Sequence, residues 1–127
     1  MSILVPSSAA ASPTVARIAE LRARVGAEPR DADAQRDLGI ALLQRVRETA
    51  DPSLFAPAEA AFSAAAEVTP DDPLLLVGIA GLQLARHEFP DALATGQRAA
   101  LLAPRLAAAR VVIVDALVAP GRYDEPD

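Results

Sequence analysis

Apolar residues recur at helical spacing in blocks separated by short polar or proline-containing stretches. Between Thr14 and Val25, Ile18, Leu21 and Val25 fall on one face and Arg17 and Arg24 on the opposite one, which predicts an amphipathic helix. Ser12 followed by Pro13 supplies an N-cap and a proline at the first helical position, and Gly26 is expected to close this helix in a left-handed conformation. Asp72 and Pro73 open another helix in the same way. Asp31-Ala32-Asp33 likewise stands just before a helix start, where carboxylates satisfy unpaired amides and the helix dipole. The most apolar stretch, Leu106–Ala119, is shorter than the roughly 20 residues that span a bilayer. It carries Arg110 and Asp115, and a buried helix is expected there. Taken alone, Val111–Asp115 also fits a buried strand ending in a metal-binding aspartate, although the phosphate loop that would accompany it is missing.

A longer period underlies these blocks. Phe55, Phe89 and Tyr123 are spaced by 34 residues each, and Ala58 and Ala92, Ala65 and Ala99, and Pro70 and Pro104 repeat the interval. A period of 34 corresponds to two helices and two turns per unit. One uninterrupted unit runs from Pro73 to Leu106, with the small residues Ala92 and Ala99 where paired helices must approach closely. The aromatic near the turn is expected to fill the wedge between them. The preceding unit, residues 32–72, is 41 residues long and contains a seven-residue insertion, best placed at Arg47–Ser53 where Thr49-Ala50-Asp51-Pro52 breaks the periodicity. Residues 14–31 fall in the register of a second helix, and residues 107–127 in that of a first helix, so two full units lie between half-units.

With Leu38-Gly39, then Ala58, Phe62, Ala65 and Pro70 in the A-x-x-x-F and trailing-proline places, and Gly121-Arg122-Tyr123-Asp124-Glu125 like a common inter-helix turn, the chain resembles the tetratricopeptide repeat family. It departs from the pattern at Leu76 and Arg110, where the family often has Trp, at Gly96, where Phe62 stands in the previous unit, and at Pro126. The resemblance implies an all-α solenoid of antiparallel helix pairs, preceded by a flexible Ser/Ala/Pro tail at residues 1–13, and a protein-binding role. It further implies that positions two, five, nine and twelve of each unit face a concave groove. These are Asp33, Arg36, Ile40 and Leu43, then Leu74, Val77, Gly81 and Leu84, then Ala108, Val111, Asp115 and Val118. Such a groove is apolar with a polar end and suits an amphipathic helix or a hydrophobic peptide. Family members that clamp a chaperone's terminal carboxylate use lysine and asparagine, and this chain has neither.

Composition narrows the chemistry. A chain of 127 residues at 52% hydrophobic and 23% charged has the balance of one modest globular domain. Alanine makes up about a quarter of it and aromatics 3%, which favours closely packed helices over a β-sandwich. All twelve basic residues are arginine and cysteine is absent, which removes phosphate-loop lysines, Schiff bases, disulfides and thiolate chemistry. A single histidine, His87, rules out a multi-histidine metal site within the chain, and it reads as a turn residue with no nucleophile beside it. Asp71-Asp72 reads as capping, and Gly78 and Gly81 lack the spacing of a dinucleotide loop.

The net charge of -5 is carried by the second half, which sets five arginines against eleven acids, and neither half offers the basic stripe that nucleic acid needs. The N-terminal stretch lacks the charged and apolar regions of an export signal. The expectation is therefore a cytoplasmic protein-binding scaffold, not an enzyme, without cofactor or metal and with neither nucleic-acid nor membrane partners. The alternative is an assembly module, the first part of a longer repeat protein or a subunit that self-associates through its C-terminal helix.

Overall fold

The structure, a computed structural model, describes residues 12–123 and is all-helical over that range. Six α-helices follow one another: α1 Pro13–Ala27, α2 Ala32–Thr49, α3 Phe55–Val68, α4 Pro73–Ala85, α5 Phe89–Leu102 and α6 Ala107–Tyr123, with a 3-10 turn at Pro52–Leu54. Each helix packs on the next, and α4 also touches α2 and α6. Val111–Asp115 is helical, so the strand alternative does not apply.

Three of the six helix starts are set by capping side chains. Ser12 Oγ accepts from the Val15 amide at 3.4 Å, Asp31 Oδ1 from Ala34 at 3.0 Å and Asp72 Oδ1 from Leu74 at 3.0 Å. Gly26 differs from expectation, because it is helical and α1 runs on to Ala27. The chain turns instead at Glu28, whose amide donates to the Arg24 carbonyl at 2.9 Å, so no left-handed residue is needed. The insertion does more than enlarge a turn, since α2 has 18 residues where α4 has 13. The longer helix ends at Ala50, which adopts φ 57° to reverse the chain into the 3-10 turn. Its extra length places Glu48 within reach of α1, where the Thr14 hydroxyl donates to Glu48 Oε2 at 2.6 Å.

The core is built where helices approach most closely. Ala58, Ala65, Ala92 and Ala99 are fully buried, as their places in the repeat require. The aromatic that fills the wedge is Phe62, 2% exposed, and not the residues of the 34-residue series. Phe55 and Phe89 are half-buried at the starts of α3 and α5, with the Arg86 guanidinium 5.5 Å above the Phe55 ring and the His87 ring stacked on Phe89. Phe62 lies in a slot between α2 and α4 that exists because both walls are glycine. A Cβ on Gly39 would lie 2.6 Å from Phe62 Cδ1, and one on Gly78 would lie 2.8 Å from Cε1.

Gly96, at the place equivalent to Phe62, serves the opposite purpose. It admits Val112 and Ile113 of α6, whose Cγ1 atoms would stand 2.9 and 3.2 Å from an added Cβ. That close approach buries Ala109, Val112 and Ala116, but the other side of α6 stays open, with Val111, Val114 and Leu117 all more than half exposed. The helix is therefore not the buried one its composition suggests, because among the described residues its main contacts are with α4 and α5 alone. It also continues through Gly121 to Tyr123, where a turn was expected; Asp124 and Glu125 lie outside the described residues. Pro120 within it borders an apolar hollow shared with Phe89, Pro90, Leu93, Ala116 and Leu117, so continuing the helix keeps apolar surface together at the loss of one backbone bond.

Gly39→Ala tests the slot against intrinsic propensity. Helix propensity alone favours alanine by about 1 kcal/mol. Overlap with a wedged ring should win, giving net destabilisation of about 1–3 kcal/mol, read from denaturant unfolding. Adding Phe62→Leu to Gly39→Ala should recover part of that loss, whereas Phe62→Leu alone destabilises by leaving a void. A Gly39→Ala variant more stable than the parent would place the ring elsewhere.

Candidate functional site

The residues expected to line a groove come from α2, α4 and α6, the first helices of the three units. Their fates differ. Ile40 and Leu74 are exposed at 39% and 46%, and Val111 at 57%, so each of the three helices has at least one of its expected groove residues as a large aliphatic side chain in solvent. Val118 and Asp115 are exposed on α6, as are Ala108 and, on α2, Asp33. Val77 and Leu84 are half-buried, Val77 against Leu76 and Ala109. Leu43 is 3% exposed and lies against α4, where a Cβ on Gly81 would meet its Cδ1 at an ordinary contact distance of 3.5 Å. Leu43 is thus a core residue with no surface to offer, and Gly81 forms part of the α2–α4 contact. Leu75 and Leu82, which fall outside the groove set, are buried.

Arg36 is held by the protein itself. Its guanidinium donates to Asp33 at 3.1 Å, Asp37 at 3.0 Å and Asp72 at 2.9 Å, with 15% of its side chain exposed. Burial works against its charge, but the hydrogen bonds to Asp72 and Asp37 outweigh this and raise its pKa above the ordinary arginine value. Three carboxylates around one guanidinium leave it little capacity for an incoming anion. The polar end of the face is consequently a closed ion-pair cluster.

The Asp71-Asp72 pair is gripped from two directions. Asp72 caps α4 while accepting from Arg36 of α2, and Asp71 pairs with Arg98 of α5, which also donates to the Pro70 carbonyl at 3.3 Å. Arginine recurs at two other inter-helix turns, with Arg24 on Asp31 at 3.2 Å and Arg110 on the Pro104 carbonyl at 2.8 Å. A planar guanidinium with five donors can hold a carboxylate and a carbonyl at once, which a lysine cannot match in geometry.

An open cleft of about 560 Å³ adjoins Ile40, lined by Pro13, Thr14 and Arg17 of α1 and Asp37, Ala41 and Gln44 of α2. Sequence reasoning did not bring these residues together, since only the packing of α1 along α2 does so. Arg17 and Asp37 face each other at 3.6 Å at its edge. His87 takes φ 60° in the α4–α5 turn, and its ring lies 5.5 Å from that of Phe89. Among the described residues no cluster of His, Asp and Glu is arranged to hold a metal, and no helix is long and apolar enough to cross a membrane. Comparison with protein-family models, curated proteins and solved structures finds no match.

Three carboxylates titrate below their ordinary values through hydrogen bonds. The Ala34 amide lowers Asp31, the Thr14 hydroxyl and then Arg45 lower Glu48, and the Ser53 hydroxyl and amide lower Asp51. Because the folded values lie below the unfolded ones, the stabilisation is complete above the unfolded pKa and is lost as pH falls through the folded pKa. The thermal midpoint should therefore hold from neutral pH down to about 5 and decline below the ordinary glutamate value of 4.5. Thr14→Val should raise the Glu48 pKa toward 4.5 in a carboxyl NMR titration while leaving Asp51 in place. An unmoved Glu48 would mean that the α1–α2 hydrogen bond does not hold in solution.

Proposed function

We propose that the chain is a tetratricopeptide-type solenoid of antiparallel helix pairs whose first-helix face holds an apolar segment of another protein. The observation that carries this reading is the placement of Ile40, Leu74 and Val111, an exposed aliphatic residue on each of α2, α4 and α6. The contacts of α4 with both α2 and α6 support a side-by-side array of first helices, so the three residues present a broken apolar strip. The ion-pair cluster of Arg36 at one end leaves apolar burial as the main source of affinity. The occupant that suits such a strip is an amphipathic helix or hydrophobic peptide, with anchors at i, i+3, i+4 and i+7 if helical. In this reading the protein is a cytoplasmic scaffold that works without cofactor and catalyses nothing.

A fluorescence-anisotropy panel of labelled amphipathic peptides, with polar-scrambled controls, tests the proposal. The apolar peptides should bind and the scrambled ones should not. Ile40→Glu combined with Leu74→Glu should weaken binding at least about 10-fold, an energy of about 1.4 kcal/mol, while circular dichroism stays helical. Binding that is indifferent to both substitutions, or absent across the whole panel, would remove the first-helix face as the site.

A further inference from the structure

We propose that the outward face of α6 pairs with the same face of a second copy of the chain, the two helices lying parallel about a two-fold axis. Ten large apolar side chains are exposed among the described residues, and four of them, Val111, Val114, Leu117 and Val118, lie on this one helix. The opposite face is anchored, with Ala109, Val112 and Ala116 buried, so the exposed face is presented on a fixed support.

Val111, Val114 and Val118 follow the i, i+3, i+7 spacing of a helix–helix seam. The seam is edged by charge. Arg110 immediately precedes Val111 and Asp115 immediately follows Val114, both exposed, and five residues put them about 140° apart around the helix, on opposite sides of the valine stripe. When two such helices run parallel about a two-fold axis, the arginine edge of one meets the aspartate edge of the other, and the ion pair forms twice. An antiparallel pair would set like edges together, arginine side against arginine side and aspartate side against aspartate side. Charge therefore selects both the occupant and its direction. Arg110 spends one donor on the Pro104 carbonyl and has others for this contact.

Four side chains on one helix make a stripe below the roughly 800 Å² per partner of a standard interface, so the dimer is weak and concentration-dependent. Val111 belongs both to this seam and to the first-helix strip with Ile40 and Leu74, but Val114, Leu117 and Val118 are not among that strip's three residues, and the pairing does not depend on the strip binding anything.

Sedimentation velocity on the whole chain from about 10 µM to about 1 mM decides the matter. The mass should climb from one copy toward two across that range. Val114→Arg should hold it at one copy. Asp115→Arg should weaken dimerisation at least about 10-fold by opposing two arginines, and the exchanged variant carrying Arg110→Asp with Asp115→Arg should restore it to within a few-fold of the parent. Circular dichroism and thermal midpoints close to the parent's establish that these exposed substitutions leave the fold intact. A parent that stays monomeric throughout, a dimer that survives Val114→Arg, or an exchanged variant that fails to recover would each overturn the parallel α6 pair.

Discussion

Phe62 of α3 sits where α2 and α4 come together, and its ring fits only because Gly39 and Gly78 have no side chains. The surrounding core mixes alanines such as Ala58 and Ala65 with leucines such as Leu42 and Leu75, and Phe62 is the buried aromatic ring among them. Alanine at Gly39 or Gly78 would push α2 or α4 away from α3. The consequences reach further, since the same approach brings Gly81 against Leu43 and aligns Arg36 with Asp72. The spacing of α2 and α4, and with it the positions of Ile40 and Leu74, therefore depends on one ring between two glycines.

At the next junction the chain solves the same packing problem without an aromatic. Gly96 takes the place of Phe62, and α6 comes in so closely that Val112 and Ile113 occupy the space a side chain would have filled. This tight seating spends the small face of α6, namely Ala109, Val112 and Ala116, on the interior. Because a helix has more sides than one neighbouring pair can cover, the remaining valines and Leu117 face solvent. The apolar surface of α6 thus follows from how closely its other face is held.

Polar groups tie the turns while the core holds the helices. The long side chain and flat guanidinium of arginine reach from a helix to a neighbouring turn at Asp31, Pro70, Asp71, Asp72 and Pro104. Most of these pairs are partly exposed and individually weak, but each ties a helix to a turn. Arg36 is the exception, being mostly buried with three carboxylates, and it shows how a residue suited to partner recognition becomes a structural one.

The sequence by itself determined the helices, their caps and their 34-residue rhythm. Those features depend on local chemistry: Ser12, Asp31 and Asp72 accept amides a few residues away, and Ala58, Ala65, Ala92 and Ala99 are small wherever helices cross. What lay beyond it were properties that depend on distant neighbours. Phe55 and Phe89 keep the period but sit at helix starts, and Phe62 becomes the wedge only because two glycines from other helices stand opposite it. Leu43 and Arg36 share the repeat positions of exposed groove residues, yet α4 buries the first and three carboxylates occupy the second. A helical period specifies which side of a helix a residue is on. How far the neighbouring helix stands from that side is decided by the volumes of every residue between them, and only the tertiary structure sums those volumes.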